Sequence, residues 1–248
     1  MSRDSIAPLI PSAAGFPRRI SAAHYSSFYD WTARLMLASV YALAFFFNVS
    51  AITNIIAEMK DHGSSIPTTL HIVAGGASAL FVALVAATIL TRLPPLRKSE
   101  GMGPRIAAVG GTYLAFALAF LPRPDLPPVI LAISSLLLIA GMLMSFAVLR
   151  WLGRAFSIMP ESRRLVMHGP YALIRHPLYL CEEIAVIGVF LQVISLLAVV
   201  ILIVQIVFQY RRMLNEERVL SATFPDYQDY ARRTPRLIPA RLFGRPVA

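Results

Sequence analysis

Residues 178–210 read LYLCEEIAVIGVFLQVISLLAVVILIVQIVFQY, thirty-three positions whose only formal charges are Glu182 and Glu183. As one helix the run would be about 50 Å long, against a hydrocarbon core of about 30 Å. A single crossing would also leave the eight basic residues after Tyr210 on the opposite side of the membrane from every other basic segment. Two shorter helices joined by a turn around Gln192–Ser195 return them to that side. The stretch is therefore expected to form a hairpin, although no Gly-Pro or Asn-Gly pair marks its turn.

Outside this run the chain has the same character. It is 57% hydrophobic and 15% charged over 248 residues, with a mean hydropathy of +0.65, which excludes an ordinary soluble domain. Further apolar runs at about Trp31–Ala57, Thr68–Leu90, Ile106–Leu121 and Pro127–Leu149 approach the roughly 20 residues that a membrane helix needs. With the hairpin they predict an all-α, polytopic membrane bundle of about six transmembrane helices. Three regions are expected: a mobile or interfacial tail over 1–30, a four-helix membrane region over 31–150, and a cofactor-binding region with a C-terminal lid over 151–248.

The net charge of +10 is distributed by topology. Lys and Arg number three before the first span, four in 92–105, five in 150–175 and eight after Tyr210; the alternate loops hold only Lys60 and Arg123. This is the positive-inside pattern, so both termini are expected to be cytoplasmic and no nucleic-acid partner is needed to explain the charge. The single cysteine, Cys181, leaves no internal disulfide, and no Cys/His spacing suggests a metal. Asn48 and Asn54 in the first span are expected to hydrogen-bond between helices.

Pro170 and Pro177 prevent a continuous helix through the joint ahead of the hairpin. That irregular segment carries Tyr171, Arg175, His176 and Tyr179, a set suited to a planar base, a cation or an anionic head group. Taken singly, the tyrosines also read as interfacial anchors and Arg175 as a lipid-phosphate contact. On the returning helix Arg212 and Glu216 stand four apart on one face, with Glu217 beside them. These three read either as site residues or as an ion-paired helix end. Glu182 and Glu183 lie in apolar sequence, where carboxylates usually face a cavity or a partner.

The elements Leu152-Gly153-Arg154, Leu165-Val166-x-x-Gly169-Pro170-Tyr171, Arg175-His176-Pro177-x-Tyr179, Arg212-x-x-x-Glu216-Glu217 and Phe224-x-x-Tyr227-x-x-Tyr230 occur in that order, followed by Pro235-Arg236-Leu237-Ile238-Pro239. Together they resemble the isoprenylcysteine carboxyl methyltransferase family and its relatives among bacterial membrane methyltransferases and phospholipid N-methyltransferases. Cys181 and Pro225 stand where such sequences often have Gly. The resemblance implies S-adenosylmethionine as cofactor in a cytoplasmic pocket, held by Leu165, Val166, Tyr171, His176, Pro177, Leu178, Tyr179 and Glu216. It also implies that Arg212 faces a lipophilic methyl acceptor, that Arg175 orders the loop or assists the acceptor, and that the tail from Tyr227 covers the site.

The acceptor is expected to be a carboxylate or a lipid head group; a carboxylate or thiolate acceptor would call on Arg212, whereas an amine acceptor would need a base, for which Glu217 or His176 is the candidate. The implied setting is a bacterial inner membrane, with lipids and a lipophilic acceptor as partners. Two other readings remain open from sequence: an NADPH-dependent membrane sterol or enone reductase, and a non-catalytic lipid-binding scaffold.

Overall fold

The computed structural model describes residues 27–238; most of the expected N-terminal tail, and Pro239 with the residues after it, lie outside that range. The helices are α1 (Ser27–His62), α2 (Ile66–Thr91), α3 (Met102–Tyr113), α4 (Pro128–Leu152), α5 (Pro177–Leu191), α6 (Leu196–Thr223) and α7 (Tyr227–Arg233). A 3₁₀ segment, Leu114–Phe120, extends α3. The only strands among the described residues are β1 (Arg97–Lys98) and β2 (Glu161–Ser162), an antiparallel pair with Arg97 opposite Ser162.

The final apolar run does double back. The turn occupies 192–195, and Ser195 caps α6 by accepting a hydrogen bond from the Ala198 N–H at 3.2 Å. Among the described residues five segments are long and apolar enough to cross a membrane: Trp31–Lys60, Ile66–Thr91, Met102–Phe120, Pro128–Ala155 and Leu196–Thr223. The sixth expected crossing is α5, whose 15 residues rise only about 22 Å. Pro177 sets its start and the turn its end, so the run divides unevenly and α6 takes the full crossing.

In the packing, α1 lies on α2, α2 on α4, α4 on α5, and α3 on α6. Glycine permits the closest of these approaches. A Cβ on Gly141 would lie 2.5 Å from the Ala185 backbone nitrogen, and one on Gly188 would lie 2.8 Å from the Leu138 nitrogen and the Ser134 carbonyl. Ser134 donates to the Gly188 carbonyl at 2.9 Å and accepts from Gln192 Nε2 at 2.7 Å, tying α4 to the turn. Gly141→Leu is expected to part α4 from α5, because backbone rather than a movable side chain blocks the new atoms. A cost of about 3 kcal/mol, the upper end for overpacking, is expected, read as a lowered melting temperature of the detergent-solubilised protein.

Arg34, near the start of the first span, is buried because it serves the neighbouring helix. Its Nη1 donates to the carbonyls of Leu90 and Arg92 at 3.0 and 2.9 Å, at the C-terminal end of α2. Asn48 does not bridge helices as expected; its Nδ2 donates to the Ala44 carbonyl of its own helix, and Asn54 is exposed. The outward Phe46 and Phe47 are more than half exposed, as residues facing lipid would be.

Candidate active site

The joint between α4 and α5 folds against the C-terminal segment at one end of the bundle. Gly169 takes φ +64°, and a Cβ there would meet the Trp151 ring at 2.8 Å, so both conformation and space require glycine. A 3₁₀ turn over Gly169–Ala172 follows, and Pro177 opens α5 at a position where no backbone donor is needed. The extended backbone between them is satisfied by the tail: the N–H groups of Arg175 and His176 donate to the carbonyls of Pro235 and Arg236 at 2.8 and 3.0 Å. The Tyr230 hydroxyl donates to the Tyr171 carbonyl at 2.6 Å.

Glu217 fastens these parts together. Its Oε1 accepts from His176 Nε2 at 3.0 Å, Arg175 Nη1 at 2.9 Å and Arg236 Nε at 3.0 Å, while Oε2 accepts from Arg236 Nη2 at 2.9 Å. A carboxylate engaged by two guanidinium groups and an imidazole has little basicity left over. Glu217 also lies behind His176, bordering an outer groove rather than the pocket that His176 lines. Glu217 is therefore not placed as a base, and His176 gives its Nε2 to that carboxylate.

Glu216, one residue earlier and about 100° around the helix, points to the other side. The Tyr179 hydroxyl donates to its Oε2 at 2.5 Å. The Tyr179 ring stacks on His176 with centroids 5.2 Å apart and receives the Arg212 guanidinium on its face at 4.7 Å. Arg212 is buried; its Nη1 makes a long bond to Gln209 Oε1 at 3.5 Å, and its Nε has no hydrogen-bond partner among the described residues. Deeper along the same stripe of α6, Gln209 Nε2 donates to Glu182 Oε2 at 3.3 Å and Gln205 Nε2 to Glu183 Oε1 at 2.8 Å. Positions 205, 209, 212 and 216 thus form one polar face inside an apolar helix.

Two spaces meet at Arg212. On the joint side, adjoining pockets of about 480 and 410 Å³ share Tyr171, Arg175, His176 and Glu216. Leu165 and Val166 line the first, Leu178 and Tyr179 the second. On the bundle side is an apolar cavity of about 850 Å³, walled by Tyr41, Phe81, Val85, Phe116, Met142 and Val189 among others, with Glu182 at its polar end. Arg212 and Phe156 border both the cavity and the second pocket. Of the residues expected around a cofactor, only Pro177 lines none of these spaces; it sets the start of α5 instead.

Arg163, which the sequence presents only as a basic loop residue, is buried in the wall of the first pocket. Its Nη2 pairs with Glu161 Oε2 at 2.5 Å, but Nε and Nη1 have no hydrogen-bond partner among the described residues. Burial lowers its pKa, and the Glu161 charge partly restores it. Burial pushes the Tyr171 phenol well above its ordinary value, reinforced by the Glu216 charge, and raises Tyr227 to about 12. The pocket's phenols outside the membrane therefore stay protonated and act as hydrogen-bonding or stacking groups rather than nucleophiles. Among the described residues no cluster of His, Cys, Asp or Glu has the arrangement of a metal site.

Comparison with known proteins matches part of the chain. The chain is 38% identical over 80 residues to the nickel-cobalt-cadmium resistance protein NccN of Alcaligenes xylosoxydans xylosoxydans, which is 32% of this chain and 38% of that protein. It is 37% identical over 110 residues to the cobalt-zinc-cadmium resistance protein CzcN of Cupriavidus metallidurans, or 43% of this chain and 51% of that one. The chain thus spans about half or less of the length of these curated relatives. A family model, the isoprenylcysteine carboxyl methyltransferase (ICMT) family, matches residues 132–222, from within α4 to the last residues of α6. That stretch carries the loop, the hairpin and Arg212, Glu216 and Glu217, and over it the chain is similar to the isoprenylcysteine carboxyl methyltransferase family.

Proposed function

We propose that the protein is an integral membrane methyltransferase that takes S-adenosylmethionine in the joint-side pockets and a lipophilic acceptor in the apolar cavity. The observation that carries this reading is the shared wall: Arg212 and Phe156 border both spaces, so two ligands of opposite polarity would meet there. The residues present fit the cofactor. Tyr171 offers an aromatic ring and Glu216 a carboxylate, groups that suit a cation. The unpartnered Nε and Nη1 of Arg163 suit a carboxylate. When bound, S-adenosylmethionine supplies an electrophilic methyl group on a sulfonium.

The chain's own contribution is alignment and exclusion of water, the main catalytic requirement for such a displacement. Arg212 would orient the acceptor from the shared wall. Arg175, His176 and Glu217 are positioning residues, which hold the tail across the pocket as a lid. The positive-inside distribution supports a cytoplasmic pocket and cytoplasmic termini, and a bacterial inner membrane is the proposed setting.

Purified protein incubated with methyl-tritiated S-adenosylmethionine and a lipid extract should transfer label into the organic phase. Arg212→Ala should reduce that transfer about a hundredfold, while cofactor affinity stays within the same order of magnitude. A cofactor affinity that falls as far as the rate would move Arg212 from the acceptor side to the cofactor side.

A further inference from the structure

The polar end of the apolar cavity holds two opposite charges that do not touch. Glu182 and Arg212 both line it, yet no ion pair joins them; the Gln209 amide stands between, giving its N–H to Glu182 Oε2 and its oxygen to Arg212 Nη1. Each charge therefore keeps capacity for a ligand. Glu182 Oε1 has no hydrogen bond from the described residues, and the buried Arg212 guanidinium retains an unpartnered Nε. Thr112, on the same wall, has a buried hydroxyl without a partner. An ionisable group at this depth is costly unless used, and the joint-side site does not use Glu182.

Three classes of acceptor head group can be compared at this end. A carboxylate gains from Arg212 and is repelled by Glu182. An ammonium gains from Glu182 and is repelled by Arg212. A neutral hydroxyl or thiol uses both, since its proton has a carboxylate to go to and the negative charge left behind has a guanidinium beside it.

Resting on the methyltransferase reading above, we infer that the acceptor is a hydrophobic molecule bearing a neutral hydroxyl or thiol, with Glu182 as the base that takes its proton. The balance is complete within the site. The acceptor's oxygen or sulfur forms the new bond to the methyl carbon, the carbon–sulfur pair leaves with the sulfonium sulfur as a neutral thioether, and the acceptor's proton ends on the Glu182 carboxylate. His176 and Glu217, the bases that sequence offers, do not line this cavity: His176 lines the joint-side pockets and Glu217 the outer groove. The other charged or titratable groups near Glu182 are Glu183, Glu216, Tyr41, Tyr171, Tyr179 and Cys181.

The test begins with binding to cofactor-free protein in nanodiscs, using 4-nonylphenol, dodecanoate and dodecylammonium as probes and native mass spectrometry as readout. 4-Nonylphenol should bind tightest. Glu182→Gln keeps volume and an acceptor for Gln209; it should weaken 4-nonylphenol about tenfold, the loss of one charge-assisted hydrogen bond, and strengthen dodecanoate. Tightest binding of either charged probe, or an order unchanged by Glu182→Gln, overturns the inference.

A second readout needs no variant. Label transferred from methyl-tritiated S-adenosylmethionine to membrane lipids should resist alkali, as ethers and thioethers do. Release as methanol would mean a carboxylate ester and would also overturn it. Absence of both cofactor binding and transfer would instead reject the methyltransferase reading itself.

Discussion

Glu217→Ala is expected to lower affinity for S-adenosylmethionine by about a hundredfold or more, although Glu217 lines neither joint-side pocket. Its carboxylate is the common acceptor for His176, Arg175 and Arg236, whose side chains are 4%, 14% and 39% exposed. Removing it leaves a buried guanidinium and a buried imidazole without their partner, a change that costs roughly 3 kcal/mol. Arg236 adds little to that figure, because water screens it. The consequence is local. His176 loses the bond that fixes its ring against Tyr179, and the 234–236 backbone loses the side-chain half of its attachment.

Cofactor titration together with limited trypsin digestion checks both effects. Cleavage at Arg232, Arg233 and Arg236 should accelerate as cofactor binding falls. Glu217→Gln, which keeps one carbonyl oxygen for these donors, should retain part of the affinity. Faster cleavage with unchanged affinity would show that the tail is not part of the cofactor site.

Tyr179→Ala is expected to have an equally large effect by a different route. One ring connects the three parts of the site: it stacks on His176, carries Arg212 on its face and donates to Glu216. Truncation removes all three contacts and leaves Glu216 and Arg212 to rearrange, so cofactor binding should fall below detection, about a hundredfold or more. Tyr179→Phe retains both ring contacts and loses only the hydroxyl, and should cost about tenfold, as expected for one charge-assisted hydrogen bond. Glu216→Ala should match Tyr179→Ala. Comparable affinity in the alanine and phenylalanine variants would mean that the ring's contacts do not organise the pocket.

Much of this arrangement was legible in the sequence because length, charge and proline act there without tertiary help. Thirty-three apolar residues exceed one bilayer, and eight basic residues follow them, so a hairpin was the expected arrangement before any turn could be seen. Ser195 was the local signal, an N-cap whose value emerges only once a helix starts behind it. The length of α5 was less legible. A hydropathy run shows where apolar residues stop, whereas Pro177 and the capped turn decide how the helices divide them.

Side-chain direction was the other gap. Glu216 and Glu217 are neighbours in sequence, yet one faces the pocket and the other the back of His176, a distinction set by how α6 packs on the joint. Gln205 and Gln209 passed as neutral residues in an apolar run, although their spacing of four, with Arg212 and Glu216 next on the stripe, marked a polar face. Arg163 passed as one basic loop residue among five, because nothing local shows that the β1–β2 pair and the joint enclose it. Asn48 illustrates the reverse case: a polar residue in a membrane helix that hydrogen-bonds within its own turn and has no partner across an interface to reveal.

We propose that the joint between α4 and α5 binds a sulfonium nucleotide beside the apolar cavity. Calorimetric titration of the purified protein tests it most directly. Saturable, one-to-one binding of S-adenosylmethionine that disappears in Glu216→Ala, with no heat from NADPH, is the expected result. Saturable binding of NADPH, or no binding of S-adenosylmethionine by folded native protein, would contradict it.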